Sequence, residues 1–130
     1  MTRYEEIEEE VRKIQSYLEI DCSDNVDEIA ERLKTLNVYQ ARSGFLLAEV
    51  QKMYRQKRAS EISEIIVSIA KENYLSAKAQ NALVDSMAQD EAFLVDWLDR
   101  IYATTVHQQD VLRSILSYEK ESLRLNNTGY

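Results

Sequence analysis

The chain has 130 residues, 45% hydrophobic and 30% charged, with a net charge of −7. That length fits one domain, and that balance fits a folded helical protein with a very polar surface rather than a disordered chain. With no proline and only two glycines, Gly44 and Gly129, the turn chemistry of a sheet protein is missing. The single cysteine, Cys22, has no intramolecular disulfide partner, which points to a reducing compartment. The acidic start MTRYEEIEEEV is unlike a leader peptide, and no apolar run approaches the ~20 residues of a membrane span. The expected setting is cytoplasmic, with no membrane partner.

The first predicted helix occupies residues 1–19. Thr2 and Glu5 fit a capping box, and Tyr4, Ile7, Val11, Ile14 and Leu18 mark one face. Glu8–Arg12 and Glu9–Lys13 are i,i+4 pairs on the other side, each contributing ~0.2–0.5 kcal/mol. Asp21-Cys22-Ser23-Asp24-Asn25 is a turn-and-cap cluster. A short helix over 24–38 follows, with Val26, Ile29, Leu33 and Leu36 inward and Asn37 as its interruption. A long basic helix is expected over 39–71, using Leu47, Val50, Tyr54, Ile62, Ile65, Ile66 and Ile69. Gly44 inside it costs about 1 kcal/mol against Ala, which suggests a junction, a bend or a close helix contact. The stripe weakens from Gln56 to Glu61, where a second bend is expected. Residues 72–80 form a loop, Ser76 caps the next helix, and a long C-terminal helix runs over 77–124 before a frayed tail at 125–130.

That last helix carries a heptad seam: Leu94, Leu98, Ile101, Thr105, Gln108, Leu112 and Ile115 fall at steps of four and three. Thr105 and Gln108 are polar, which trades stability for register or for a site. Residues 90–124 as one helix would span ~52 Å, against a radius of gyration of roughly 14 Å for a compact chain of this size. The predicted fold is therefore all-α: an elongated helical bundle or hairpin whose seam is shared between protomers of a symmetric homo-oligomer. On that expectation the seven seam residues are the oligomer interface.

The sequence offers no constellation of catalytic groups. His107 is the only histidine, Asp110 at i+3 is its nearest sequence companion, and an exposed helix-surface histidine is the ordinary reading. There is no H-E-x-x-H or E-x-x-H for a metal, no phosphate-cradling glycine loop, and Cys22 has no nearby histidine. No enzyme, metal or cofactor is expected. The charge is uneven, however: residues 35–80 carry 7 basic against 4 acidic side chains. Arg42, Lys52, Tyr54, Arg55, Lys57 and Arg58 gather there, with Lys52, Arg55 and Arg58 one turn apart. Cations beside an aromatic ring that can stack on a base are the ingredients of single-strand binding. The competing interpretation is a solvated basic stripe neutralised by the chain's own acidic helices.

The order of features resembles a family. Ile20-Asp21 precedes a helix, Leu46-Leu47-Ala48-Glu49 leads into the basic run, and the end carries Leu98-Asp99-Arg100, His107, Leu112-Arg113-Ser114 and Lys120. Over residues 20–124 this layout is similar to the UvsY-type recombination mediators of T-even phages and related small helical phage proteins. The resemblance implies a non-enzymatic, ring-forming helical oligomer in the host cytoplasm. It implies single-stranded DNA bound through Lys52, Arg55, Lys57 and Arg58, with Arg42 a further contact. A recombinase and a single-strand-binding protein would be the protein partners, and the C-terminal helix the assembly element. The net negative charge and the acidic helix 1–19 depart from that pattern. They favour an alternative: a helical protein-binding adaptor or a phage anti-defence protein working through an acidic surface.

Overall fold

The computed structural model describes residues 1–128, and its described residues form five helices and no strand. These are α1 (Arg3–Leu18), α2 (Val26–Arg58), α3 (Glu61–Glu72), α4 (Ala77–Met87) and α5 (Gln89–Thr128). Two compact units result. The first comprises Met1–Phe45 and the described residues from Leu98 onward; the second is Leu46–Trp97. The long helices α2 and α5 pack together within each. No helix among the described residues is long and apolar enough to cross a membrane.

In the first unit, α1 starts on the capping box expected of it. The Glu5 amide donates to Thr2 Oγ1 at 3.1 Å, and the Thr2 amide returns to Glu5 Oε2 at 3.1 Å. Its Ile7, Val11, Ile14 and Leu18 are all buried. α2 starts at Asn25, whose Oδ1 accepts from the amides of Asp27 (3.0 Å) and Glu28 (3.1 Å). Ile29 and Leu36 on α2 and Leu98, Ile101 and Leu112 on α5 complete the apolar core. The contacts Gln40–Gln109 and Gly44–Tyr102 show α2 and α5 running antiparallel.

The second unit has a smaller core. Leu46, Val50 and Leu94 are fully buried, but the other covered positions are small or only just closed: Ser63, Ala70, Val84 and Ala88. Helices α3 and α4 pack against each other as a hairpin. α3 ends without glycine in a Schellman arrangement. The Leu75 amide donates to Ala70 O at 3.0 Å and the Tyr74 amide to Lys71 O at 3.0 Å, with Tyr74 at φ 57°. Ser76 Oγ then accepts from the Ala79 amide at 3.1 Å and opens α4.

Several expected boundaries move. The division into helices 24–38 and 39–71 does not occur: α2 is continuous through Asn37 and Gly44. Asn37 is exposed, so it interrupts no packing. A Cβ at Gly44 would sit 3.5 Å from Tyr102, so no backbone approach there demands a bend. The break falls instead at Ala59–Ser60, inside the weak stripe. There Ser60 Oγ donates to Lys57 O at 2.8 Å and closes α2. The expected helix 77–124 is divided at Ala88, whose backbone leaves the helical region at φ −107°, ψ 26°. α5 continues to Thr128, past the tail expected to fray; Gly129 and Tyr130 lie outside the described residues.

Candidate nucleic-acid interface

The basic run occupies the last two turns of α2, in the second unit. With Val84 of α4 and Val95 of α5, residues Gln51, Tyr54, Arg55, Arg58 and Ala59 line a groove of about 590 Å³. Tyr54 and Arg58 are i,i+4 neighbours. Arg58 Nη1 donates to the Tyr54 hydroxyl at 3.3 Å, and the guanidinium lies 5.6 Å from the ring centroid. The groove therefore presents an aromatic ring with two guanidiniums, a combination suited to an anionic, planar-ringed ligand.

Not all of the cations are free. Arg58 Nη2 is 3.1 Å from Asp85 of α4, and Lys57 Nζ donates to Glu91 of α5 at 3.1 Å. Glu91 is the more buried partner, and its second oxygen has no hydrogen bond. Lys52 and Arg55 are exposed and make no ion pair among the described residues. The Arg58–Asp85 pair is exposed on both sides, and such pairs contribute about 0–1 kcal/mol, so a phosphate oxygen can replace Asp85 at little cost; displacing the largely buried Glu91 from Lys57 costs more.

Arg42 belongs to the first unit. Its Nε and Nη2 donate to the two oxygens of Glu10 at 2.7 and 3.0 Å, a bidentate pair tying α2 to α1. That geometry gives it a structural partner rather than a place in the groove.

The seam residues expected at an oligomer interface are largely covered by the chain itself. Leu94, Leu98, Ile101, Thr105 and Leu112 are buried within one protomer, and Gln108 and Ile115 are half-buried. The reason is the long α2, which provides an intramolecular partner for the α5 stripe. Its polar members have local roles. The Thr105 hydroxyl donates to Tyr102 O at 2.6 Å, while Gln108 Nε2 donates to Leu18 O at 2.9 Å.

Two residues escaped the sequence reading. Gln109 is 2% exposed, and its Nε2 donates to Gln40 Oε1 at 2.6 Å and Thr105 O at 3.1 Å. Arg32 is 8% exposed. Its position between Ile29 and Leu36, three before and four after, was the available signal: helical spacing puts it on the apolar face. Among the described residues no group of three His, Cys, Asp or Glu converges as a metal site, and His107 is exposed. Cys22 is half-buried, and its Sγ donates to Ser23 O at 3.4 Å.

Comparison of the chain with protein families, with curated proteins and with solved structures finds no match.

Proposed function

We propose that the chain is a non-enzymatic recombination mediator that binds single-stranded DNA as an oligomer and helps a recombinase displace a single-strand-binding protein. The observation that carries the reading is the groove beside Tyr54, Arg55 and Arg58, with the unpaired Lys52 one helical turn from Arg55. The layout resemblance over residues 20–124 supplies the biological role. Assembly, in this reading, uses apolar side chains that the fold leaves open, such as Ile62, Ile65 and Ile69 of α3, each more than half exposed. Repeating a weak site around an assembly raises its avidity without any new contact.

The test is fluorescence anisotropy with a labelled oligothymidylate in low salt. Lys52→Glu with Arg55→Glu is the informative double variant, because neither residue holds an internal ion pair. Wild type should bind and lose affinity with salt. The double variant should lose at least tenfold with unchanged helicity. No affinity in the wild type at low salt removes the reading.

The same α3 isoleucines favour a second reading, a protein-binding adaptor. Three apolar side chains at i, i+3 and i+7 on an open face are how a helix meets a protein partner. Under this reading Ile65→Asp abolishes capture of a purified recombinase, while the Lys52/Arg55 reversal leaves capture intact. Capture that survives Ile65→Asp removes the α3 face from the reading.

A further inference from the structure

We propose that the cleft around Arg32, in the first unit, is a binding site for a carboxylate carried on an apolar body. The proposal is independent of the groove at Tyr54 and of the reading built on it. The cleft encloses about 340 Å³ between the end of α1, the following loop, α2 and α5. That size suits a small ligand or the last residue of a peptide.

Arg32 is the anomaly that marks the site. It is a cation, it is 8% exposed, and it has no carboxylate partner. Buried arginines are ordinarily paired, because an uncompensated buried charge is costly. Here Nη2 donates to Gln108 Oε1 at 3.1 Å and the guanidinium lies 4.2 Å from the Tyr17 ring centroid. Nε is buried from solvent without an acceptor, and Nη1, which is not buried, makes no hydrogen bond. Gln108 is itself fixed, because its Nε2 donates to Leu18 O at 2.9 Å. The guanidinium is thus held by two neutral neighbours with Nη1 left to donate, preorganised for an anion that the chain does not supply.

The surroundings select the kind of anion. Leu18, Val111, Leu112 and Ile115 make an apolar wall beside the guanidinium. Glu19 and Asp21 also line the cleft, and Asp27, Glu28 and Glu31 line a neighbouring cleft that shares Arg32 and Asp21 with it. A phosphate dianion would meet that negative field with one permanent cation, Arg32, and only the exposed His107 beside it on the lining. A monoanionic carboxylate needs one guanidinium, matches its planar fork, and leaves an apolar remainder to cover the wall. Two sources share this chemistry: a free amphipathic acid and the C-terminal residue of a peptide ending in an apolar side chain.

The experiment uses the full chain, labelled with ¹⁵N, and follows the Arg32 Nε–H and the Val111 and Leu112 amides by NMR. The probes are N-acetyl-leucine, its amide, and N-acetyl-Ala-Ala-Leu with a free carboxylate. Both acids should shift these resonances saturably, and the amide should bind at least tenfold more weakly. A peptide at least tenfold tighter than N-acetyl-leucine assigns the site to chain ends, and equal affinities assign it to free acids. Arg32→Met should abolish both. Ile115→Trp fills the cleft while keeping the guanidinium, so it reads the site even if the arginine variant folds poorly; it too should abolish binding. The proposal is overturned if neither acid gives a saturable shift, if the amide binds as well as the acid, or if Ile115→Trp binds like wild type.

Discussion

Gly44→Ala should stabilise the protein. Gly44 lies in the interior of α2, with helical turns on both sides and a φ that is not positive. A glycine in such a place costs about 0.5–1 kcal/mol relative to alanine, because the unfolded chain loses more freedom on becoming helical. The gain is realised only where the added methyl fits. The nearest atoms to that Cβ would be Tyr102 Cε2 at 3.5 Å and Cδ2 at 3.7 Å, both ordinary van der Waals distances. Tyr102 is more than one-third exposed, so its ring has room to adjust. A gain of that size corresponds to a rise of roughly 2–4 °C in melting temperature for a chain of this length. Urea and thermal denaturation followed by circular dichroism read it directly. If the two units melt separately, only the transition of the first should move, since Gly44 and Tyr102 both belong to it. Gly44→Leu is the control, because a longer side chain must displace the Tyr102 ring. A destabilised Gly44→Ala variant would mean that the close approach of α2 to Tyr102 is required, and would refute the argument.

Tyr74→Gly should stabilise the second unit by about 1 kcal/mol, since a non-glycine residue in the left-handed region costs about 1–2 kcal/mol and Tyr74, 95% exposed, has little packing to lose; a lower midpoint in urea would contradict this. Arg32→Met should match or exceed wild-type stability, because an apolar group of similar length replaces a buried cation without a carboxylate partner, which offsets the lost Gln108 hydrogen bond and Tyr17 contact; a loss above about 1 kcal/mol in urea titrations would show that Arg32 holds the fold together. Leu98→Asp should destabilise the first unit by more than about 4 kcal/mol, because it puts a carboxylate where Leu98 is fully buried. The resulting loss of helicity should be independent of protein concentration; a folded variant that only dissociates would restore the intersubunit seam.

The elements that were legible in the sequence are those whose local chemistry and burial agree. Thr2 and Glu5 announce α1, and the residues spaced from Ile7 to Leu18 are its buried face. Ser76 announces α4 by the same logic. The breaks were harder, because this chain ends helices without glycine. Tyr74 takes the left-handed position that glycine usually fills, and Ala88 interrupts 77–128 with a residue of high helix propensity. Asn37 and Gly44 looked like breakers, but propensity is a weak prior when Leu36 and Leu46 on either side are buried. The seam is a partner-seeking stripe, and within the chain α2 already covers Leu94, Leu98, Ile101, Thr105 and Leu112 of it. Periodicity says that a helix has a partner; it does not say whether the partner is another part of the same chain. For the basic run, spacing placed Tyr54 beside Arg58, but Asp85 and Glu91 approach from helices distant in sequence, so the pairing was not readable.

If the groove binds single-stranded DNA as proposed, that pairing makes the salt dependence of binding a count of the cations engaged. On single strands log K falls with log salt at a slope of about −0.7 for each phosphate neutralised. If the internal pairs persist, only Lys52 and Arg55 contribute, and the slope per protomer is about −1.4. If phosphate displaces Glu91 from Lys57 and Asp85 from Arg58, four cations contribute, and the slope approaches about −2.8. The two cases also differ in their response to Glu91→Gln, which releases Lys57 without touching a cation. Where the pair competes with DNA, that change strengthens binding; where the pair is a bystander, it leaves binding unchanged. Arg42 should add nothing in either case, because both oxygens of Glu10 already hold it. A slope near zero would mean that cations contribute nothing to whatever affinity is measured, and the groove at Tyr54 would then have to be read as a protein-binding surface.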